Sequence, residues 1–179
     1  MHEIIDNGDI FVYPQDITDA VCVTTNGCIN SKGFAVMGKG IALSAKELFP
    51  NIEIKLGRLL KQNGNHAFDC GIYQTHVLDT DQIYHVFTMP TKNNWRDKSN
   101  IELIKQSAEE LVKLCNKNGI KRCFLPCPGC TNGQLDYQTD VRPILLNILD
   151  ERFVVIGGPD KIKTTSLAGE REDNDDRTI

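Results

Sequence analysis

Two hydrophobic rhythms take turns along the chain. Short apolar, often β-branched runs alternate with stretches whose apolar residues recur at helical spacing, the mark of an α/β layer fold. Residues 3–13 predict a first strand region broken by a turn at Asn7 and Gly8, and residues 20–25 (AVCVTT) predict a strand bounded by Asn26 and Gly27. From Gly40, the residues Ile41, Ala45 and Leu48 share one face of a helix that stops at Phe49, ahead of Pro50. Residues 51–63 predict a second helix, capped by Asn51 and ended at Gly64, and residues 70–78 and 82–88 a pair of strands.

The strongest periodicity lies over 100–118, where Ile101, Ile104, Ala108, Leu111, Val112 and Cys115 form one stripe. Ser99 and Glu102 match a capping box at its start, and Gly119 closes it. A strand over Arg122 to Leu125 follows, then a loop over 126–136 rich in Pro, Gly and Asn, a helix over 140–149 with Pro143 in its first turn, and a last strand from Phe153 to Ile156. Beyond Gly157 the chain turns polar and acidic without periodicity, so one folded domain is expected over 1–157 and a disordered tail over 158–179.

Composition narrows the function classes. With 179 residues, 40% hydrophobic and 25% charged, the chain suits one soluble domain able to bury a ligand site without disulfides or metals. A formal charge of −4 excludes the basic footprint of a bulk nucleic-acid or anionic-lipid binder. No apolar run approaches a membrane span and the start lacks the features of a signal peptide, which predicts a cytoplasmic protein, expected as a monomer. The seven cysteines, an odd number, then read as reduced thiols, and His76 and His85 as packed neutral side chains.

Two glycine-rich loops each follow a strand and precede a helix. The first, GFAVMGKG over 33–40, satisfies GxxxxGK, yet position 40 is Gly where a nucleotide triphosphatase needs a magnesium-holding Ser or Thr. Its backbone amides can still cradle a phosphate, unless its glycines serve only a tight turn. The second, LPCPGCTNGQLD over 125–136, opens on the same edge of a parallel sheet, so the pair frames a cleft of diphosphate size. Cys127 and Cys130 spell CxxC, but no second pair offers zinc ligands and the following helix starts too late to activate a thiol, so no metal or cofactor is expected.

Three segments in this order, AVMGKGIALSAKELFP, MPTKNNWRDKS and LPCPGCTNGQLD, resemble the macro domain family over Gly8 to Ile156. The resemblance is to its branch of terminal ADP-ribose glycohydrolases, antitoxins against DNA ADP-ribosylating toxins, and small phage proteins. It implies a three-layer α/β/α sandwich around a mixed sheet, with ADP-ribose, free or on a modified macromolecule, as partner. Gly8, Asp9 and Ile10 are similar to the family's GDIT, whose Asp receives the adenine amino group, and Asn26 to the Asn touching the distal ribose. Gly38, Lys39, Gly40 and Ile41, after Val36 and Met37, would line one side of the diphosphate. Thr131, Asn132 and Gly133 would line the other, with Pro128, Gly129, Cys130 and Leu135 completing the binding set. The catalytic Lys and Asp of that branch match Lys92 and Asp136. Departures fall at Cys28 to Ser31, an inserted stretch, at Cys127 and Thr131, where relatives often have Arg and Gly, and at Tyr137, where Trp is common.

The implied reaction is de-ADP-ribosylation of a DNA base or protein, with Lys92 as nucleophile and Asp136 as acid or base. An amine must be neutral to attack an anomeric carbon, and a lysine of pKa about 10.4 is neutral in only about 0.04% of molecules at pH 7. Trp95 and Arg96, close to Lys92 in sequence, are the neighbours expected to lower that value. A non-catalytic ADP-ribose reader and an ADP-ribose 1''-phosphate phosphatase remain the alternatives. Trp95, the single tryptophan, reads as a packing or rim anchor, with stacking as the other option.

Overall fold

In the computed structural model, residues 1–162 are described. The order is β1 (His2–Ile5), a 3-10 turn (Ile10–Val12), β2 (Asp19–Asn26), α1 (Gly40–Leu48), α2 (Ile52–Asn63), β3 (Phe68–Val77), β4 (Thr80–Lys92), α3 (Ile101–Asn118), β5 (Arg122–Pro126), a π-helical turn (Tyr137–Val141), α4 (Arg142–Ile148) and β6 (Phe153–Gly157). One six-stranded sheet runs β1-β6-β5-β2-β4-β3, parallel except for the antiparallel β3–β4 pair.

Both faces of the sheet are covered, and the alternation along β2 shows how. Ala20 and Cys22 face a core completed by Ile104, Ala108, Leu111 and Cys115 of α3 and Leu145 of α4. Val21 and Val23 face the opposite core, filled by Ala42 and Ala45 of α1, Phe49, and Ile52, Leu56 and Leu60 of α2. A central strand buried on both sides must be apolar at consecutive positions, which is why its sequence reads as an uninterrupted run. The architecture is the expected three-layer sandwich with a mixed sheet.

Several expectations need correction. Pairing of the first strand ends at Ile5; Asp9 instead caps the 3-10 turn by accepting from Phe11 N–H at 3.0 Å. Asn51 stands at the start of α2 in a left-handed conformation but makes no side-chain cap. The cap of α3 is Asn100, which accepts from Leu103 N–H at 3.0 Å, so the box of Ser99 and Glu102 does not form. The helix expected over 140–149 starts earlier, as a π-helical turn at Tyr137. β4 extends past the expected 82–88 as far as Lys92. Of the tail expected over 158–179, Gly158 to Ile162 are folded against the domain, with Ile162 buried in the α3 core; the remainder lies outside the described residues. No helix among the described residues is long and apolar enough to cross a membrane.

One ion pair links the edge strand to the segment after the second glycine loop. Glu3 on β1 accepts from Arg142 at 2.8 and 3.1 Å and from the Tyr137 hydroxyl at 2.8 Å. Burial pushes the Glu3 carboxyl up, but the hydrogen bonds from Arg142 and Tyr137 outweigh it and hold the group below its ordinary 4.5. A depressed folded value adds stability above pH 4.5 that is lost as pH falls through it.

Two measurements check this arrangement. Urea unfolding followed from about pH 6 to pH 3 is expected to show a shallower acid loss in Glu3→Gln than in the wild type; equal slopes would contradict the pairing. In α2, a Cβ on Gly57 would stand 2.2 Å from the Gly33 carbonyl oxygen and 2.9 Å from Ala35 N. Gly57→Ala is therefore expected to lower thermal stability by about 1–3 kcal/mol, the scale of an overpacked contact, although alanine favours helix by about 1 kcal/mol.

Candidate functional site

The crevice lies where three neighbouring parallel strands end. β5, β2 and β4 are adjacent in the sheet, and their carboxyl ends deliver Pro126, Asn26 and Lys92 to one rim. In a parallel sheet every connection leaving a strand starts at this edge, so the loops after these strands meet by topology.

After β2, the chain is folded back by Asn26, whose amide donates to Val36 O at 2.9 Å and whose carbonyl accepts from Cys28 N–H at 2.9 Å. α1 begins at Gly40, whose φ of +56° suits glycine, and Lys39 at its N-cap makes no side-chain cap. A Cβ at Gly40 would lie 3.1 Å from the Asn132 amide nitrogen of the facing loop. The two glycine-rich loops thus approach to contact distance across the crevice.

The second loop is held from below. Leu135 N–H donates to Gly129 O at 3.1 Å, and Ser99 N–H donates to Gly133 O at 3.0 Å. The Ser99 hydroxyl is buried without a hydrogen-bond partner among the described residues, wedged where any Cβ on Gly133 would collide with it at 2.0 Å. Burial pushes the thiols of Cys127 and Cys130 up to about 12, so both are protonated at neutral pH, and Cys130 Sγ donates to Pro128 O at 3.1 Å. All seven cysteines are free.

Lys92 closes the third side. Its side chain is buried, and Nζ donates to Asp97 O at 2.7 Å and to Asn132 O at 3.0 Å. Its own carbonyl accepts from Gly27 N–H at 3.2 Å and from the Asn65 amide at 3.1 Å. Trp95, 51% exposed, lines the same cavity, with the Arg96 guanidinium 4.7 Å from its ring centroid.

Together these elements enclose a cavity of about 460 Å³, within the range of small-molecule sites. Of the sequence-predicted residues, Asn26, Val36, Gly38, Lys39, Gly40, Ile41, Lys92, Gly129, Cys130, Thr131, Asn132 and Gly133 line it. Asp9 and Ile10 line an adjoining hollow near the end of β6, which shares Ile41 and Pro126 with the main cavity. Met37, Pro128, Leu135 and Asp136 line neither. Met37 is core beneath the first loop, and Leu135 packs on the α3 side. Asp136 is exposed and caps the π-helical turn, accepting from Thr139 N–H at 2.9 Å.

Sequence reasoning did not assign Thr24, Thr25, Thr91 and Ala42, which also line the cavity, or Asn65, which holds the Lys92 backbone. The threonines are ordinary strand residues in the sequence, and Asn65 acts across 27 positions with no local signal. No group of three or more potential metal ligands occurs among the described residues.

Comparison with known proteins gives the following. A family model described as Macro domain matches residues 29–144. The DNA ADP-ribosyl glycohydrolase of Mycobacterium tuberculosis is 29% identical over 137 residues, covering 75% of this chain and 36% of that protein. A DNA ADP-ribosyl transferase-DNA ADP-ribosyl glycohydrolase fusion protein of Thermosipho africanus is 26% identical over 155 residues, covering 79% and 37%. The chain therefore spans little more than a third of the length of these relatives. Among solved structures, the macrodomain of Mycobacterium tuberculosis DarG has a TM-score of 0.66 at 24% identity, covering 87% of this chain and 97% of that one. Thermosipho africanus DarTG in complex with ADP-ribose has a TM-score of 0.68 at 23% identity, covering 92% and 43%. These two likenesses concern the fold; with the family model spanning more than half of its residues, the chain belongs to the macro domain family.

Proposed function

We propose that the crevice binds ADP-ribose and that the chain hydrolyses the bond joining the distal ribose to a DNA base. The observation that carries this reading is a buried amine, Lys92 Nζ, at the end of a cavity framed by two glycine-rich loops. The relatives named as DNA ADP-ribosyl glycohydrolases support the choice of a modified DNA base over a protein.

The sheet gives the ligand a direction. Asp9 would receive the adenine at the β6 end, the amides of Gly38 to Gly40 and Gly129 to Gly133 would hold the diphosphate, and the distal ribose would reach Lys92 at the β4 end. For catalysis, Nζ gives up one proton and attacks the anomeric carbon. A bond forms from Nζ to that carbon while the bond to the base breaks, and the departing base nitrogen takes a proton. A proton passes from Nζ to the ring oxygen and the sugar opens to a Schiff base on the lysine, the species that borohydride reduces; water then adds to the imine carbon, the bond to Nζ breaks and ADP-ribose leaves. Asp136 is the proposed proton donor and acceptor; to serve, its carboxylate exchanges the Thr139 amide for the substrate.

The contacts of Lys92 also favour a second reading. Two carbonyls accept from Nζ, an arrangement suited to an ammonium that clips the loops together, as a non-catalytic ADP-ribose reader would use.

Incubation with an ADP-ribosylated oligonucleotide, an ADP-ribosylated protein and ADP-ribose 1''-phosphate separates these readings. Turnover of the oligonucleotide is expected, with an adduct trapped by borohydride in the wild type and absent in Lys92→Met. Asp136→Asn, which keeps a capping side chain, is expected to lose about 10²–10⁴-fold in kcat with little change in stability. Tight ADP-ribose binding with no turnover of any substrate would leave the reader, and turnover undiminished in Lys92→Met would overturn the mechanism.

A further inference from the structure

We infer that Asn65, in the turn between α2 and β3, is a positioning residue that aims Lys92 at the anomeric carbon, and that Glu110 of α3 braces it. The inference rests on the reading of Lys92 as the nucleophile.

The end of β4 is not aimed by the sheet. Along β2 and β4 the register runs from Thr25 opposite Pro90 to Asn26 opposite Lys92, so it slips by one residue and Thr91 is passed over. Such a bulge turns side chains away from the direction that regular pleating gives them. The carbonyls here find partners outside the ladder. Pro90 O accepts from the buried Ser107 hydroxyl of α3 at 2.9 Å, and Thr91 O from Asn100 N–H at 2.8 Å. Lys92 O shares the Gly27 N–H, at 3.2 Å, with Asn93 O at 3.1 Å, and takes its second bond from Asn65 Nδ2 at 3.1 Å. A peptide unit is planar, so holding the carbonyl on each side of a Cα fixes the direction of its side chain. Asn65 completes that hold for Lys92.

Asn65 is placed for this task and for little else. Nδ2 gives one N–H to Lys92 O and the other to Asn93 Oδ1 at 2.9 Å. Oδ1 is buried and has no hydrogen-bond partner among the described residues. An acceptor left unpaired in the interior lowers stability, which a residue kept only for packing would not incur. Gly27 is fitted to the amide, since a Cβ there would stand 2.8 Å from Asn65 Cγ and Nδ2. The turn is braced from α3, where Glu110 accepts from Ala67 N–H at 2.7 Å and pairs with His66 Nδ1 at 2.6 Å.

The variant Asn65→Leu separates aim from fold. Leucine has the outline that Gly27 packs against, Lys92 O keeps its bond from Gly27, exposed Asn93 turns to water, and the unpaired acceptor is removed. Its thermal midpoint is therefore expected near the wild-type value, and its affinity for ADP-ribose by calorimetry within about twofold, since Asn65 lines neither cavity. Single-turnover hydrolysis of an ADP-ribosylated oligonucleotide and borohydride trapping of the adduct are expected to slow together by about 10–100-fold, the scale of a nucleophile misplaced by up to about 1 Å. Glu110→Ala, which keeps Asn65 but frees its turn, is expected to slow both by a smaller factor at unaltered affinity. An Asn65→Leu or Glu110→Ala protein that reacts at the wild-type rate, or an Asn65→Leu protein that unfolds or loses affinity and rate alike, would overturn the positioning role while leaving the nucleophile in place. A wild type that hydrolyses no substrate and traps no adduct would overturn the nucleophile reading, and this role with it.

Discussion

Lys92 Nζ, buried at the tip of β4, donates to the carbonyls of Asp97 and Asn132, and through those two bonds one side chain fixes two loops. A charge taken out of water is tolerated only when it is hydrogen-bonded, and a buried carbonyl left unpaired costs about 1–3 kcal/mol. The bridge is therefore a constraint on both partners. The main chain of Lys92 is itself pinned by Gly27 and Asn65, and Asn26, next to Gly27, donates to Val36 O of the first glycine-rich loop. The cavity walls come from three separate parts of the chain and are locked to one another around a single amine.

What brings them together is burial of apolar surface on both faces of the sheet. Consecutive residues of β2 feed opposite cores, so the strand sits centrally, and β5 and β4 become its neighbours. Their parallel sense then delivers three loops to one rim without any side chain having to specify it. The residues that do specify the cavity are small. Gly57 lets α2 approach the first loop, and Gly133 lets the second settle on Ser99. Close approach at these two glycines sets the spacing of the loops, and Lys39 and Lys92 add positive side chains to the lining.

The architecture could be read from the sequence because its cues are local. Alternating periodicities announced the layers, and the glycine-rich runs at 33–40 and 125–136 marked both loops. Errors arose where two local rules competed or where contacts were distant. Ser99 and Asn100 are both capping types, and the preceding serine is instead drawn under Gly133, leaving Asn100 to cap α3. Asp9 makes a 3-10 turn where alternation suggested a strand, since the carboxylate offers the backbone a competing partner. Asn65 and Ser99 support the site only through tertiary contacts, and no spacing in the chain exposes them. Lys92 and Asp136, both marked by the resemblance, differ in setting: one is enclosed by the cavity, the other caps the turn just outside it.

The central claim is that the crevice accepts ADP-ribose in one direction, with its distal sugar at the buried amine. A crystal structure of the protein with ADP-ribose measures this most directly. The account predicts the diphosphate against the amides of both glycine-rich loops and the anomeric carbon about 3–3.5 Å from Lys92 Nζ, a separation from which attack can proceed. A ligand lying in the reverse direction, with adenine beside Lys92, or a crevice left empty at saturating nucleotide, would contradict it.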